Sequence, residues 1–129
     1  MAKMHFHKVL QFSAGMAAIS VALAASAANP PSWPTFHGPQ RDNIVHETGL
    51  LKQWPVGGPK LLWRLSGCGR GYSGVSVAGG LLFTSGDFGE VEKVLAIGLD
   101  GKLKWAVPNG RAWKGAQPGA RTTPTYNDG

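Results

Sequence analysis

The chain contains very little cysteine and comparatively few charged residues. Of its 129 residues only Cys68 is a cysteine, which excludes an internal disulfide and a Cys-x-x-Cys metal or redox pair. Charged residues make up 16% and apolar residues 43%, a balance that excludes a highly charged disordered chain. The net charge is +6, but no three basic residues follow one another. Nucleic-acid binding, which usually requires clustered basic residues, is therefore not expected.

Glycine and proline, in contrast, are abundant. The 19 glycines and 9 prolines make up about 22% of the chain, against a usual combined share of roughly 12%. The interior of a helix tolerates neither residue well. The composition therefore predicts an all-β protein, in which Cys68, flanked by two glycines, is a small buried or half-buried side chain without a chemical role.

Residues 1–27 have the pattern of a secretory signal peptide. A short basic head precedes an uncharged stretch over residues 9–25, and Ala-Ser-Ala at residues 25–27 is a small-x-small cleavage site. A membrane anchor is the alternative, because the apolar run approaches the ~20 residues of a spanning helix. Polar residues interrupt that run, however, and two prolines follow closely. We expect cleavage after Ala27, a periplasmic or secreted protein and no membrane span in the mature chain.

Residues 28–59 read as an irregular segment. Six prolines and several glycines interrupt it, and a residue that precedes proline is driven away from helical geometry. One helical turn fits residues 46–53. We expect three large aromatic side chains, Trp33, Phe36 and Trp54, to pin the segment across a surface formed by the strands that follow.

Residues 60–129 read as strands. A short apolar run at residues 61–65 is compatible with a strand, and residues 72–107 fit a four-stranded antiparallel meander. The expected strands cover residues 72–78, 81–84, 91–99 and 103–107, and the expected turns lie at residues 79–80, 86–89 and 100–102.

Two partial internal repeats follow from aligning the chain with itself. Residues 121–129 align with residues 72–80 at an offset of 49, and residues 102–105 align with residues 60–63 at an offset of 42. A period of about 40 to 50 residues with four strands in each repeat is typical of β-propeller blades.

The residues at the end of the sequence favour an incomplete ring. Asn-Asp-Gly at residues 127–129 is a hairpin turn that requires another strand, and propellers close with about 4 to 8 blades. We therefore expect an N-terminal fragment of a longer protein that holds about one blade with flanking strands. The strand at residues 61–65 would then belong to the last blade.

Three stretches carry a resemblance to a known family: WPTFHGPQRD at residues 33–42, GGPKLLW at residues 57–63 and AIGLDGKLKW at residues 96–105. They resemble the PQQ-like β-propeller repeat proteins, exported bacterial propellers related to quinoprotein alcohol dehydrogenases. The resemblance implies a structural role for Trp63 and Trp105, which would pack between blades, as suits large aromatic side chains.

Few residues stand out as candidates for binding. Residues 69–74 match G-x-G-x-x-G, but the following residues read as a hairpin and not as the helix that a dinucleotide site requires. His37 and His46 lie near acidic residues without a recognised metal-ligand spacing. Arg70 and Arg121 each precede a predicted inner strand, so both are candidates to face a central channel and attract anions.

Two functions remain open on the sequence. The first is an exported binding or scaffold propeller whose channel takes a protein or small-molecule ligand. The second is a quinoprotein oxidoreductase that uses PQQ and calcium, which only the family resemblance implies. The sequence identifies neither a catalytic carboxylate nor the oxygen ligands that calcium requires, so we favour the binding or scaffold function and leave enzyme activity undecided.

Overall fold

The computed structural model describes residues 30–128, so the predicted signal peptide lies outside the described residues. Four strands form one antiparallel sheet in the order β1-β2-β3-β4. They are β1 (Ser76–Ala78), β2 (Leu81–Phe88), β3 (Val91–Gly98) and β4 (Leu103–Arg111). Between residues 30 and 128 there is no helix of the length and apolarity needed to cross a membrane. The predicted all-β class and the four-stranded antiparallel meander are confirmed.

Glycines set the positions of the turns. Gly79 and Gly80, with φ of 56° and 75°, join β1 to β2, and Gly101, with φ of 77°, lies between β3 and β4. Glycine adopts these positive φ values without the steric cost that a Cβ brings. The predicted turns at residues 79–80 and 100–102 are therefore confirmed.

The turn predicted at residues 86–89 is wrong. Strand β2 continues through Gly86 to Phe88, because these residues pair with the beginning of β3. The chain turns instead at Gly89, where φ is 67°, and Glu90. The sequence Gly-Asp-Phe-Gly resembles a turn, but only its final glycine serves as one.

Three other local predictions also differ from the structure. Strand β1 is limited to Ser76–Ala78 and does not begin at residue 72. Residues 61–65 form no strand, because the run pairs with no neighbouring strand in the described chain. Residues 46–53 form no helical turn, and Gly49 within them has a φ of 74°.

The core of the sheet lies on the face shared by Ala78, Phe83 and Ala96, with Leu81 and Tyr126 packed against them. The register explains this grouping, since β2 pairs Leu81 with Gly98 and Phe83 with Ala96. Side chains two residues apart in a strand point to the same face. The edge of the sheet formed by β4 is open. Strand β4 is the last in the order of strands, and all nine of its residues are exposed.

Residues 71–74 and 120–123 lie side by side and run in the same direction. Gly71 and Ala120 form a parallel bridge, and the amide of Tyr72 donates to the carbonyl of Ala120 at 2.7 Å. Further along, the amide of Gly74 donates to Thr123 Oγ1 at 3.1 Å. Gly71 and Ala120, like Gly74 and Thr123, are 49 residues apart, so the offset found in the sequence repeat is also the spatial register of these segments.

The N-terminal segment joins this arrangement through Trp33 and Pro34. The amide of Trp33 donates to the carbonyl of Val77 at 2.7 Å, and the amide of Val77 donates back at 2.9 Å. Pro34 accepts a hydrogen bond from the amide of Tyr126 at 2.9 Å. The segment is thus held by β1 and by the second repeat, as expected for Trp33. Trp54 is mostly exposed, and the prediction that it anchors the segment is wrong. Phe36 is also mostly exposed, but its ring lies beside Gly74, where a Cβ would be 3.8 Å from its Cδ2 atom.

Candidate functional site

One end of the sheet collects segments that are distant in the sequence. In an antiparallel meander the end of β2, the beginning of β3 and the end of β4 lie at the same end of the sheet. Arg70 joins them there, because its amide and carbonyl form hydrogen bonds of 2.9 and 2.8 Å with the backbone of Asp87. Ala112, just after β4, donates its amide to the carbonyl of Glu90 at 3.0 Å.

Glycine is required where the chain passes Asp87. Gly69 has a φ of 81°, and a Cβ at this position would lie 2.8 Å from the carbonyl carbon of Gly86 and 3.0 Å from the amide nitrogen of Asp87. Such distances are too short for a side chain. The glycine therefore lets residues 69 and 70 lie directly against the end of β2, which places Arg70 next to Asp87.

This end of the sheet contains a small depression, which we call the polar cleft. Its volume is about 280 Å³. This is slightly below the range of about 300–1,000 Å³ that is usual for sites of drug-sized ligands. The residues that line it are Arg70, Asp87, Gly89, Trp113, Lys114 and Pro118.

Among residues 30–128, Asp87 supplies the only carboxylate that lines the polar cleft. Its backbone is fully used by Arg70, and its Oδ1 atom is buried without a hydrogen-bond partner among the described residues. A buried polar atom normally has a partner, since leaving one unpaired costs roughly 1–3 kcal/mol. The carboxylate of this lining residue thus has hydrogen-bonding capacity that residues 30–128 do not use.

Lys114 and Trp113 come from the connection after β4. The Lys114 ammonium donates to the carbonyl of Gly89 at 2.7 Å and lies 3.0 Å from Glu90 Oε1, which ties the connection to the β2–β3 turn. The indole of Trp113 donates to the carbonyl of Ala116 at 3.3 Å. These contacts hold one cationic and one aromatic side chain beside Asp87.

The two arginines predicted for a channel are placed differently. Arg70 lines the polar cleft, and its guanidinium makes no ion pair or hydrogen bond with any side chain or backbone group in residues 30–128. Arg121 lies outside the cleft and donates to the carbonyls of Ala116 and Gln117, both at 2.7 Å. It therefore positions the loop that follows Lys114.

Asp87, Trp113 and Lys114 did not emerge as site residues from the sequence. The sequence predicts a turn at Asp87, and the connection at residues 112–120 has no counterpart in the aligned repeats. One signal was available, because a tryptophan beside a lysine in a glycine-rich connection serves neither a strand nor a tight turn.

Trp63 and Trp105, predicted as structural residues, lie elsewhere. The indole of Trp63 donates to the carbonyl of Leu99 at 2.8 Å, and its ring covers Gly101 at the β3–β4 turn. The ring of Trp105 lies 5.9 Å from that of Phe83, which stacks on Tyr126 at 5.7 Å. Trp105 is still 41% exposed and borders an open apolar depression of about 470 Å³.

The other candidates from the sequence form no site in the described residues. His37 Nδ1 lies 2.9 Å from Asn43 Oδ1, and no group of three His, Cys, Asp or Glu side chains in residues 30–128 is arranged to hold a metal ion. Residues 69–74 lead into β1 and not into a helix. Cys68 is a half-buried free thiol, as expected.

The opposite end of the sheet carries a small charged cluster. Asp100 accepts a hydrogen bond from the amide of Lys102 at 3.1 Å, and its carboxylate lies 3.6 Å from the Lys104 ammonium. The amide bond is the main cause that lowers the pKa of Asp100 below its ordinary value of 3.8, and the charges of Lys104 and Lys102 add to it. The cluster stabilises the β3–β4 turn.

Comparisons with protein-family models, with curated proteins and with solved structures found no match to this chain.

Proposed function

We propose that this chain forms part of an exported β-propeller of the PQQ-like repeat type and acts as a binding or scaffold module. The observation that carries the proposal is the parallel contact between residues 71–74 and 120–123 at an offset of 49. Blades repeat radially around a central axis, so equivalent residues of successive inner strands lie side by side and run in the same direction.

The exposure of the sheet adds support. Trp105 and Val107 of β4 are 41% and 46% exposed, beside the apolar depression that Phe83 and Tyr126 border. A large apolar patch on a protein surface usually marks a contact with another element or another protein. In a propeller, the sheet of the next blade covers such a face.

The side chains of residues 30–128 favour a binding function over an oxidoreductase. A quinone–calcium site requires several oxygen ligands for the cation. In the range 30–128 no cluster of acidic, histidine or cysteine side chains offers them. These residues do not fit the quinone–calcium pair, and we assign no reaction step to it. The polar cleft, in contrast, is a depression of about 280 Å³ lined by charged side chains, and the Asp87 carboxylate among them accepts no hydrogen bond from residues 30–128. These features support a small polar ligand.

A thermal-shift screen of the full chain tests the proposed function. The panel contains neutral sugars, sugar acids, amino acids and dicarboxylic acids, with PQQ plus calcium as a separate arm. We expect at least one class of polar ligand to raise the melting temperature, and the Arg70→Gln variant to lose most of that rise. Stabilisation by PQQ plus calcium, accompanied by reduction of an electron-acceptor dye with an alcohol, would contradict the proposal. So would a panel without any effect.

A further inference from the structure

The polar cleft has hydrogen-bonding groups of both kinds that the chain itself does not use. The carboxylate of Asp87, a residue that lines the cleft, accepts no hydrogen bond from residues 30–128, and its Oδ1 atom is buried. The Arg70 guanidinium likewise has no partner within these residues. The Lys114 ammonium has three N–H donors, of which the Gly89 carbonyl and the Glu90 carboxylate occupy two. A ligand that fills the cleft must therefore both donate and accept hydrogen bonds.

The charges narrow the class of ligand. Two cationic side chains and one carboxylate line the cleft, and Glu90, 3.0 Å from the Lys114 ammonium, balances the charge of that lysine. Arg70 and Asp87 are therefore the lining charges that have no ion pair within residues 30–128. Because the Arg70 guanidinium has no anionic partner within residues 30–128, a ligand that carries a carboxylate is favoured over a purely cationic one. A simple anion without donors would leave the Asp87 carboxylate without a hydrogen bond. A ligand with one carboxylate and neighbouring hydroxyl groups satisfies all three side chains.

The aromatic wall adds a requirement for shape. Trp113 lies against the backbone of its own loop, where a Cβ on Gly115 would come within 2.7 Å of its Cε2 atom, and it also lines the cleft. An indole offers a flat apolar surface with a polar edge, which suits the C–H face of a sugar ring. The volume of about 280 Å³ suits a single sugar unit rather than a long chain.

We propose that the polar cleft binds a uronic acid, free or as a unit of an acidic polysaccharide. The sugar carboxylate pairs with Arg70 and Lys114, a ring hydroxyl donates to Asp87, and the ring lies on Trp113. This proposal rests on the proposed binding role of the chain, but it does not depend on the propeller architecture.

Calorimetric titration of the full chain with sodium glucuronate tests the proposal, with glucose and acetate as comparison ligands. Glucose lacks the carboxylate and acetate lacks the hydroxyl groups, so both should bind at least about tenfold more weakly than glucuronate. Galacturonate oligomers tell a free sugar acid from a polysaccharide unit, because only a unit in a chain would show a gain in affinity with length. Either result supports the proposed class of ligand.

Three variants connect binding to the cleft. Arg70→Gln, Asp87→Asn and Lys114→Gln should each weaken glucuronate binding by about tenfold. Asp87→Asn should weaken glucose binding as well, whereas Arg70→Gln should leave it nearly unchanged. Arg64→Gln is the matched control, because Arg64 adjoins Trp63, which contacts Leu99 at the other end of the sheet. Near-ultraviolet circular dichroism checks that each variant is folded. If Asp87→Asn does not fold, the glucuronate affinities of Arg70→Gln and Lys114→Gln decide whether the ligand binds in the cleft.

Two results would overturn the proposal: glucuronate that binds no better than acetate, or glucuronate binding that neither Arg70→Gln nor Lys114→Gln weakens. If another ligand of the panel raises the melting temperature of the chain in an Arg70-dependent way, the binding function stands and only the uronic acid is wrong. If no ligand of the panel binds, the proposed function fails with it.

Discussion

The hydroxyl of Ser73 donates to the carbonyl of Thr122 at 2.6 Å, and the two residues are 49 positions apart. Ser85 of β2 donates to the same carbonyl at 3.0 Å, so the second repeat is held by the segment that precedes β1 and by β2. These side-chain bonds extend the parallel bridge between Gly71 and Ala120. The repeat in the sequence therefore corresponds to a physical contact, which is the basis of the proposed architecture.

The β3–β4 turn should tolerate alanine poorly at Gly101. This glycine has a φ of 77°, and a Cβ would lie 2.6 Å from Trp63 Cδ2. Alanine at a left-handed position costs about 1–2 kcal/mol, and the clash with the indole adds roughly 1–3 kcal/mol for overpacking. Urea denaturation of the full chain with Gly101→Ala measures the loss.

Gly80→Ala is the matched control for that measurement. Gly80 has a φ of 75°, but nothing lies within 4 Å of the Cβ position. Gly80→Ala should lower the free energy of unfolding only by the cost of alanine in a left-handed backbone conformation, about 1–2 kcal/mol. Equal losses for the two variants would show that Trp63 does not cover the turn.

The Asp100 cluster predicts a dependence of stability on pH. Because the folded state lowers the pKa of Asp100, the ionised carboxylate stabilises the fold at pH values above the ordinary 3.8. That contribution disappears as the pH falls through the lower pKa of the folded state. The difference in unfolding free energy between the wild type and Asp100→Asn should be constant near neutral pH and should shrink in acid below 3.8.

Lys104→Gln separates the causes of this effect. The main cause of the lowered pKa is the hydrogen bond from the Lys102 amide, and the Lys104 charge contributes less. Lys104→Gln should therefore keep most of the acid dependence, whereas Asp100→Asn should abolish it. Denaturation curves between about pH 3 and pH 7 provide the measurement. A flat pH response in the wild type would contradict the prediction.

The signal-peptide prediction concerns residues outside the described structure and can be tested directly. Expression of the full chain in a bacterium with a general secretion system should yield a product that spans residues 28–129. Ala27→Arg should block processing, because the cleavage site accepts only small side chains. Ser26→Ala changes the permissive middle position and should be processed normally. Intact mass of the exported product distinguishes these outcomes, and an unprocessed wild type would show that residues 1–27 are not a cleaved leader.

The strands were predictable where a local pattern coincided with a partner strand. The Gly79–Gly80 hairpin and the β3–β4 turn depend on glycines whose φ values are positive, a preference that is visible in the sequence. The apolar run at residues 61–65 has an equally strand-like pattern but pairs with no strand in the described part of the chain. Its Trp63 contacts the carbonyl of Leu99 through the side chain instead.

The polar cleft was only partly predictable for a similar reason. Arg70 stood out because it precedes an inner strand, but Asp87 and Lys114 reach it through antiparallel pairing and through the connection after β4. Such proximity depends on which segments meet at one end of the sheet. A local sequence pattern does not contain that information. The offset of 49 was visible in the sequence as a repeat period, and the structure shows that it is also the register of the contact between the repeats.

The parallel contact between the repeats can be tested by a designed disulfide. A Cβ at Gly74 would lie 3.7 Å from the Cβ of Thr123, close to the mean of about 3.8 Å in disulfides. Gly74 does not have a positive φ, so cysteine is compatible with its backbone. Replacing Cys68 by serine first removes the one competing thiol of the chain.

The decisive measurement compares the pair Gly74→Cys/Thr123→Cys with the register-shifted pair Gly74→Cys/Thr125→Cys, each in the full chain with Cys68→Ser. After mild air oxidation of dilute protein, the account predicts that the first pair loses both free thiols within one chain, while the shifted pair keeps them. Oxidation of the shifted pair as readily as the first, or free thiols in both, would contradict the 49-residue register and the propeller arrangement built on it.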